Sequence, residues 1–548
     1  MLMRNHVLGA TGRVPRPLNE FELEPLICDL MGAHGGKQAV KKLKMAFEAA
    51  WARLQQQQPG YAPNPADAAF EADLIAWLRF HEAMLIGEVI PQLHQYLRSN
   101  PAAAERQEYS HILVDEYQDL NRAEQGVIEL LSEAADVCIV GDDDQSIYSF
   151  KHAHPDGIRE WLTSNVGADD LGLEECRRCP TRVVEMANSL IAHNVLRPVP
   201  RPLNSMPANG AGEVRIIQYH RIEQEVAGVA ALVAQLIDSG IPSGDILVLA
   251  QSRIVGTPIY EALVERGVPV KSYYAESELS HDEAKQAFAL LKLFVNRQDR
   301  VALRWLVGLD SSNWHAAGYR RVREHCENTG ISPWDALAQI ERGILRLPHT
   351  NRIVDSFRLI VQTLDVLEAL PDLRSVVDHL FPDGQDGTRD VRELALAVLD
   401  VMLVDNREEL LRELSTVINQ PEIPTEIDEV RIMSLHKSKG LSSPVTIIAG
   451  CVQGLLPRRP SEGLTAVEQA QHLEEQRRLL YVGITRVKAA PQHGKPGQLI
   501  LTYSRRMRVR DALSVGIAPA QQQYGEATLH ASMFIGELGP SAPPPVLG

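Results

Sequence analysis

The sequence predicts an α/β protein: two parallel-sheet domains carrying helical insertions. Three features of the pattern predict it. Apolar runs of four or five residues alternate with helix-like stretches after Tyr109. The first runs end in acidic residues, and a long helical block interrupts the later ones before strand character returns. Short buried runs between helices are the mark of a parallel sheet covered on both faces.

Taken in order, residues 1–105 read as mostly helical. Gln38–Gln55 and Ala69–Leu97 keep apolar side chains at helical spacing, and the Gln-, Pro- and Asn-rich stretch Gln55–Pro65 is a loop. Residues 106–200 hold the first strands, His111–Val114 (HILV) and Val137–Val140 (VCIV). The proline-rich Arg197–Gly212 marks a domain boundary. Residues 211–280 and 425–539 form a second α/β domain, with strands at Val214–Gln218, Ile246–Ala250, Val430–Ser434, Val445–Ala449 and Leu499–Tyr503. Residues 281–424 are a helical insertion within it, and 540–548 (PSAPPPVLG) a disordered tail.

Length and composition narrow the classes. The chain has 548 residues, 45% hydrophobic and 23% charged, a balance that supplies several cores and excludes disorder, collagen and a small disulfide scaffold. No apolar run approaches the ~18 residues of a membrane span. Met1–Gly12 lacks the apolar stretch of a secretory signal, so a cytoplasmic location is expected. Lys plus Arg number 55 against 71 Asp plus Glu, a net charge of −16. Nucleic acid must therefore be met by a local basic groove rather than by overall attraction. The six cysteines are scattered, which fits a reduced compartment. Only Cys176 and Cys179 form a CxxC; without a second pair of ligands, two ordinary thiols are expected there rather than a metal site.

Five segments carry chemistry. ILVDEYQD, Ile112–Asp119, delivers Asp115 and Glu116 to the carboxyl end of a strand, where open α/β sheets bind ligands. Adjacent carboxylates there suit holding Mg²⁺ and polarising a water; capping a solvated strand end is the alternative. VGDDDQSIYSF, Val140–Phe150, places Gln145 where an amide can report on a terminal phosphate, and Tyr148 and Phe150 two residues apart. That pair suits stacking on bases of a single strand, or packing in a core. EECRRCPT, Glu174–Thr181, carries Arg178 ahead of a helix. RIMSLHKSKGL, Arg431–Leu441, ends a strand with Ser434, His436 and two lysines, and EEQRRLLYVGITR, Glu474–Arg486, is a helix closing on Arg486.

In this order the five segments resemble the UvrD-like superfamily 1 DNA helicases. ILVDEYQD is similar to the family's Walker B motif, VGDDDQSIYSF to its third motif, and EECRRCP stands where the family has its motif IV arginine. SLHKSKGL and EEQRRLLYVGITR are similar to motifs V and VI, and VLAQSRIVGTPIYEALVERGVPV to the opening of the second motor domain. The resemblance runs from Glu108 to Gly539. It implies two RecA-like motor domains and an ATP- and Mg²⁺-dependent 3′-to-5′ helicase or translocase acting on single-stranded DNA and duplex junctions, with a place in DNA repair. It further implies that Asp115 binds Mg²⁺, Glu116 activates water, and Gln145, Arg178 and Arg486 reach the γ-phosphate. Tyr148, Phe150 and Lys151 would grip DNA, with Ser434 and His436 nearby.

The sequence also departs from the family. The phosphate-cradling pattern G-x-x-x-x-G-K-[ST] occurs nowhere in it; the nearest segment, Gly32–Gln38 (GAHGGKQ), is one residue short and ends in Gln38. The family's adenine-reading glutamine and early DNA-contacting motifs are missing too. Thr11–Glu22 (TGRVPRPLNEFE) resembles the family's segment immediately after those motifs, so the chain is expected to start partway into the first motor domain, which would then be incomplete. A truncated frame, an internal start and a subunit complemented by a protein supplying the P-loop all fit. The alternative function is an ATPase-deficient DNA-binding or regulatory remnant, and the lone chain is expected to aggregate or to need a partner. Smaller departures are Ser442 and Ser443 where a glutamate usually comes after motif V, Phe150 for tryptophan and Lys151 for arginine.

Overall fold

The two runs after Tyr109 become strands β1 (His111–Val114) and β2 (Asp136–Ile139) in the computed structural model. It describes residues 16–165, 167–195, 201–273, 279, 281–401, 404–419, 427–461, 463–489, 496–517, 522–523 and 525–548. Residues 1–15, on which the reading of the start rests, and 197–200 of the proline-rich boundary lie outside the described residues. The N–H groups of Asp136 and Val140 donate to the carbonyls of Ser110 and Val114, at 3.0 and 2.7 Å, with one constant offset, so β1 and β2 run parallel. The sequence reads them as buried, and the structure corrects that: Leu113 is 81% exposed and Val140 46%. Among the described residues these strands pair only with each other, so no flanking strand covers them.

The later runs form one seven-stranded sheet from β3 (Glu213–Tyr219), β4 (Ile246–Ala250), β5 (Val270–Ser272), β6 (Val430–Met433), β7 (Val445–Ala449), β8 (Gln498–Ser504) and β9 (Val546–Leu547). The order is β9-β3-β8-β7-β4-β6-β5, and every neighbouring pair is parallel. Every residue of β4, β6 and β7 is buried, which is why they read as near-continuous apolar runs, broken only by Arg431 and Thr446, rather than alternating ones. Helices Ile222–Asp238, Arg253–Glu265 and Ala466–Ile484 supply Val229, Val233, Ile259 and Leu480 to the same core. The long third helix opens on a capping box, with the Thr465 and Glu468 side chains each bonding the other's backbone N–H.

The tail is a second correction. Val546 and Leu547 pair in parallel with Ile217 and Gln218, and Arg182 donates to the carbonyl of Ser541 at 3.0 Å. Proline content signals poor helix or strand propensity, but the open edge of β3 supplies the donors and acceptors that order the segment.

The chain divides into two units. One comprises Met1–Leu113, Asn121–Cys138 and Glu276–Ile423, the other Val114–Leu120, Ile139–Ala275 and Pro424–Gly548. The chain therefore passes between them at 113/114, 120/121, 138/139, 275/276 and 423/424. The described part of the first unit is largely helical. Its amino-terminal segment is tied to the later helices through buried charge: Arg16 forms bidentate pairs with Glu22 and Asp299, and Lys292 reaches Glu22 at 3.0 Å. Arg304 likewise grips Asp29 at 2.7 and 3.0 Å. The periodic stretch Ala69–Leu97 is two helices, Pro65–Phe80 and Ile86–Ser99. Between them Glu82 takes a left-handed conformation and Ala83–Met84 pairs with Arg16–Pro17. Gly32–Gln38 joins helix Leu23–Leu30 to helix Lys37–Ala52, and the Lys37 ammonium lies 2.6 Å from Glu24. No described helix is long and apolar enough to cross a membrane.

Candidate functional site

All ten residues singled out by sequence lie in the second unit, and Asp115, Glu116, Ser434 and His436 come just after the carboxyl end of a strand. Asp115 and Glu116 come directly after β1, both exposed, and Asp115 Oδ1 accepts from the Glu116 N–H at 2.8 Å. Glu116 is left-handed, with φ 52°, and starts the tight turn Tyr117–Asp119. That turn is pinned from below: the Tyr117 N–H donates to the Val140 carbonyl at 3.0 Å, and the Tyr117 ring is buried.

The segment after β2 is held against this turn by a fully buried amide. Gln118 donates to Glu116 Oε2 at 2.6 Å and accepts from the Asp142 N–H at 3.0 Å. Gly141 makes the approach possible, since a Cβ there would lie 2.5 Å from Gln118 Oε1 and 2.6 Å from Ile158 Cδ1. Asp142 then caps the turn Asp143–Gln145, and its other carboxylate oxygen accepts from the Gln145 amide at 2.8 Å. Gln145 is thereby aimed before any ligand arrives.

Lys439, from the turn after β6, closes the cluster. Its ammonium lies 2.5 Å from Asp119, 3.2 Å from Glu116 and 2.9 Å from the Gln145 carbonyl. Arg486 enters from the end of the Ala466–Ile484 helix, 1% exposed. Among the described residues its hydrogen bonds go to the carbonyls of Val482 and Leu441, to Thr485 Oγ1 and, at 3.5 Å, to Gln145 Oε1, none of them a carboxylate. Burial and then the neighbouring Arg178 charge lower its pKa to about 10. Arg178 itself is exposed, on the turn between Cys176 and Pro180, with its carbonyl 2.7 Å from the Ala489 N–H. A buried guanidinium beside a second one, lacking a carboxylate partner, is a costly arrangement that an anion would relieve.

The aromatic residues form an adjoining cluster. Tyr148 and Phe150 meet edge to face at 5.7 Å, Phe150 and His436 at 5.6 Å, and Lys151 lies 4.8 Å over the Tyr148 ring. The Tyr148 hydroxyl donates to the His436 carbonyl at 3.3 Å, and Gln251, just after β4, pairs with His436 Nδ1. Burial, then Arg458, pushes His436 down to about 4, so its ring is neutral at physiological pH. Phe150 stays 60% exposed, a ring face left open beside neutral and cationic groups. Ser434, at the end of β6, is half-buried and accepts from the Lys437 N–H. Lys439, 5.3 Å over the Tyr148 ring, belongs to both clusters.

The structure thus brings Glu116, Gln145 and Arg486 together, and separately Tyr148, Phe150, Lys151 and His436. Sequence reasoning gave no role to Gln118, Asp119 or Asp142, and treated Lys439 only as one of two turn lysines. The available signal was their polarity directly after apolar runs, which marks a strand end without naming a partner. As for Mg²⁺, no described group of three or more His, Cys, Asp or Glu residues is placed to hold a metal alone. The exposed Asp115 and Glu116 carboxylates are nevertheless the hard oxygen donors, one or two in number, that Mg²⁺ takes when phosphate and water complete its shell.

Residues 37–164 match the UvrD/REP helicase N-terminal domain, and residues 172–341 and 337–491 the UvrD-like helicase C-terminal domain. The chain is 26% identical over 475 residues to DNA helicase II of Escherichia coli, covering 82% of this chain and 62% of the relative. It is 23% identical over 427 residues to ATP-dependent DNA helicase PcrA of Staphylococcus epidermidis (73% and 56%). It is 27% identical over 456 residues to ATP-dependent DNA helicase UvrD1 of Mycobacterium bovis (74% and 56%). The chain spans about six tenths of the length of these curated relatives.

Proposed function

Since the chain belongs to the UvrD-like superfamily 1 helicases, we propose that it couples ATP hydrolysis to 3′-to-5′ stepping on single-stranded DNA inside the cell. The observation that carries this reading is the buried Arg486, meeting Gln145 beside the Glu116 carboxylate, with no carboxylate among its hydrogen-bond partners in the described residues. In this reading residues 106–200 belong to one RecA-like motor domain and 211–280 with 425–539 to another, with 1–105 and 281–424 as helical accessories.

Bound Mg²⁺–ATP supplies the phosphoanhydride and the metal charge that phosphoryl transfer to water requires. Asp115 is the metal-holding carboxylate, and Glu116 accepts a proton from the attacking water. Gln145, pre-aimed by Asp142, donates its amide to the γ-phosphate, and Arg178 and Arg486 stabilise its developing charge. Tyr148 and Phe150 stack on bases while Lys151 meets the backbone, with Ser434 and His436 alongside. Lys439 links the two clusters, so occupancy at the carboxylates is felt at the Tyr148 ring.

A specific observation favours a second reading, a DNA-binding remnant that takes its phosphate cradle from a partner protein. Gly32–Gln38 is a turn between two helices whose lysine pairs with Glu24, and among the described residues β1 and β2 are an exposed two-stranded pair. One assay separates the two: ATP hydrolysis by the purified chain with and without single-stranded DNA, beside Glu116→Gln. A working motor shows DNA-stimulated turnover that falls at least ~100-fold in the variant, the scale of a lost general base. DNA binding without turnover establishes the remnant.

A further inference from the structure

The Cys176–Cys179 pair is a chemistry-bearing motif that the proposed reaction leaves unused. Cys176 ends the short strand Glu175–Cys176, which pairs with Asn204–Ser205. Cys179 lies two residues before helix Thr181–Ile191, across the turn that carries Arg178. Asn209 Nδ2 donates to the Arg177 and Cys179 carbonyls, at 3.2 and 3.1 Å, and so holds the turn that sets the two cysteines against each other. Their surroundings differ. Cys176 is half-buried, whereas Cys179 is 1% exposed, its sulfur 3.4 Å from the Thr485 carbonyl, next to Arg486. All six cysteines are free thiols.

We propose that Cys176 and Cys179 form a dithiol oxidised by peroxides, with Cys176 attacking and Cys179 resolving, and that the disulfide displaces the Arg178 turn from its reduced position. The Cys176 thiolate attacks one peroxide oxygen; the O–O bond breaks, a sulfenic acid forms and hydroxide leaves, taking a proton to become water. The Cys179 sulfur then attacks the sulfenic sulfur. The S–S bond forms, the S–O bond breaks, and a second water leaves with the Cys179 proton. Two thiols lose two electrons and one peroxide becomes two waters.

The division of labour comes from the site. The hydrogen bond from Cys179, aided by the backbone N–H groups of Cys179 and Arg178 and by the Arg178 charge, holds the Cys176 thiol below its ordinary range despite burial. The same contact, with burial, raises Cys179, and burial raises Cys28, Cys326 and Cys451. Closing the bond turns the Cys179 sulfur from Thr485 toward Cys176, across the two residues that hold Arg178. An effect on turnover rests on the roles proposed above for Arg178 and Arg486; the thiol chemistry does not.

The full-length chain, treated with hydrogen peroxide and digested without reductant, tests this by mass spectrometry. The peptide spanning both cysteines is expected to lose two hydrogens and regain them with dithiothreitol. Before oxidation, Cys176 is expected to alkylate with iodoacetamide at pH 7 roughly tenfold faster than the exposed Cys138. Cys179→Ser should stop at a sulfenic acid on Cys176 that dimedone traps, and Cys176→Ser should yield neither product. Alkylation no faster than at Cys138, or sulfinic acid in place of the disulfide, overturns the proposal. If the disulfide forms and the trypsin cleavage rate after Arg178 is unchanged, displacement of the turn is overturned. Loss of ATP turnover on oxidation, restored by reductant and absent in Cys176→Ser, extends the displacement to the arginines.

Discussion

Lys439 sits between three groups that would otherwise repel or go unpaired: the carboxylates of Glu116 and Asp119 and the Gln145 carbonyl. Burial raises the Asp119 carboxyl even with that ammonium 2.5 Å away. Lys439→Met therefore leaves a partly buried carboxylate without its cation, a loss on the order of 2–3 kcal/mol. In steady-state kinetics we expect kcat for DNA-stimulated ATP hydrolysis to fall about 10–100-fold with KM for ATP changed far less. Equal loss in both parameters would mean Lys439 binds nucleotide rather than organising its neighbours. This residue shows where sequence reading stops. KSKG announces two cations in a turn, but nothing local says which of them folds back onto acids more than 300 positions earlier.

Among elements, the strands were the most legible. Ile246–Ala250 and Val445–Ala449 have the bounds their apolar runs mark, because a strand buried on both faces begins and ends on apolar side chains. Edge strands escaped for the complementary reason: Val270–Ser272 is partly exposed throughout, and Val546–Leu547 comes after three prolines. The break inside Ala69–Leu97 was hidden because Ala83 and Met84 are as apolar as the helices around them. The tie between the first segment and the later helices rests on charge, and pH reads it. Burial would raise the Glu22 carboxyl, but Arg16 and Lys292 hold it down to about 2 against an ordinary value of 4.5. Its contribution is whole above pH 4.5 and is lost as the pH falls toward 2. Glu22→Gln should cost about 3–5 kcal/mol at pH 7 and flatten that stretch of the acid-unfolding curve. Urea titrations of both proteins at pH 7 and pH 3 measure it; an equal gap at the two pH values would show that Glu22 does not titrate in that window.

At the scale of the molecule, composition and motif order made family membership readable in advance, while the assignment of segments to units was not. A contiguous helical insertion at 281–424 is what periodicity suggests; the cluster of Arg16, Glu22, Lys292 and Asp299 shows residues from both ends of that unit sharing one buried site. With a net charge of −16, DNA attraction has to be local to side chains such as Lys151. Single-strand affinity should thus fall gently with salt, its log–log slope corresponding to about 2–4 phosphates at ~0.7 per phosphate. Fluorescence anisotropy across a salt series decides this, and a slope several times steeper would reveal a basic track beyond these side chains.

The repeated passage of the chain between its two units limits how the protein can be taken apart. Each unit is assembled from three separated stretches, so no single cut in the gene isolates either one. A half-length product carries fragments of both cores and completes neither. Deletion mapping would report loss of function wherever the endpoint fell, and a free-standing unit requires its stretches to be spliced together with new linkers.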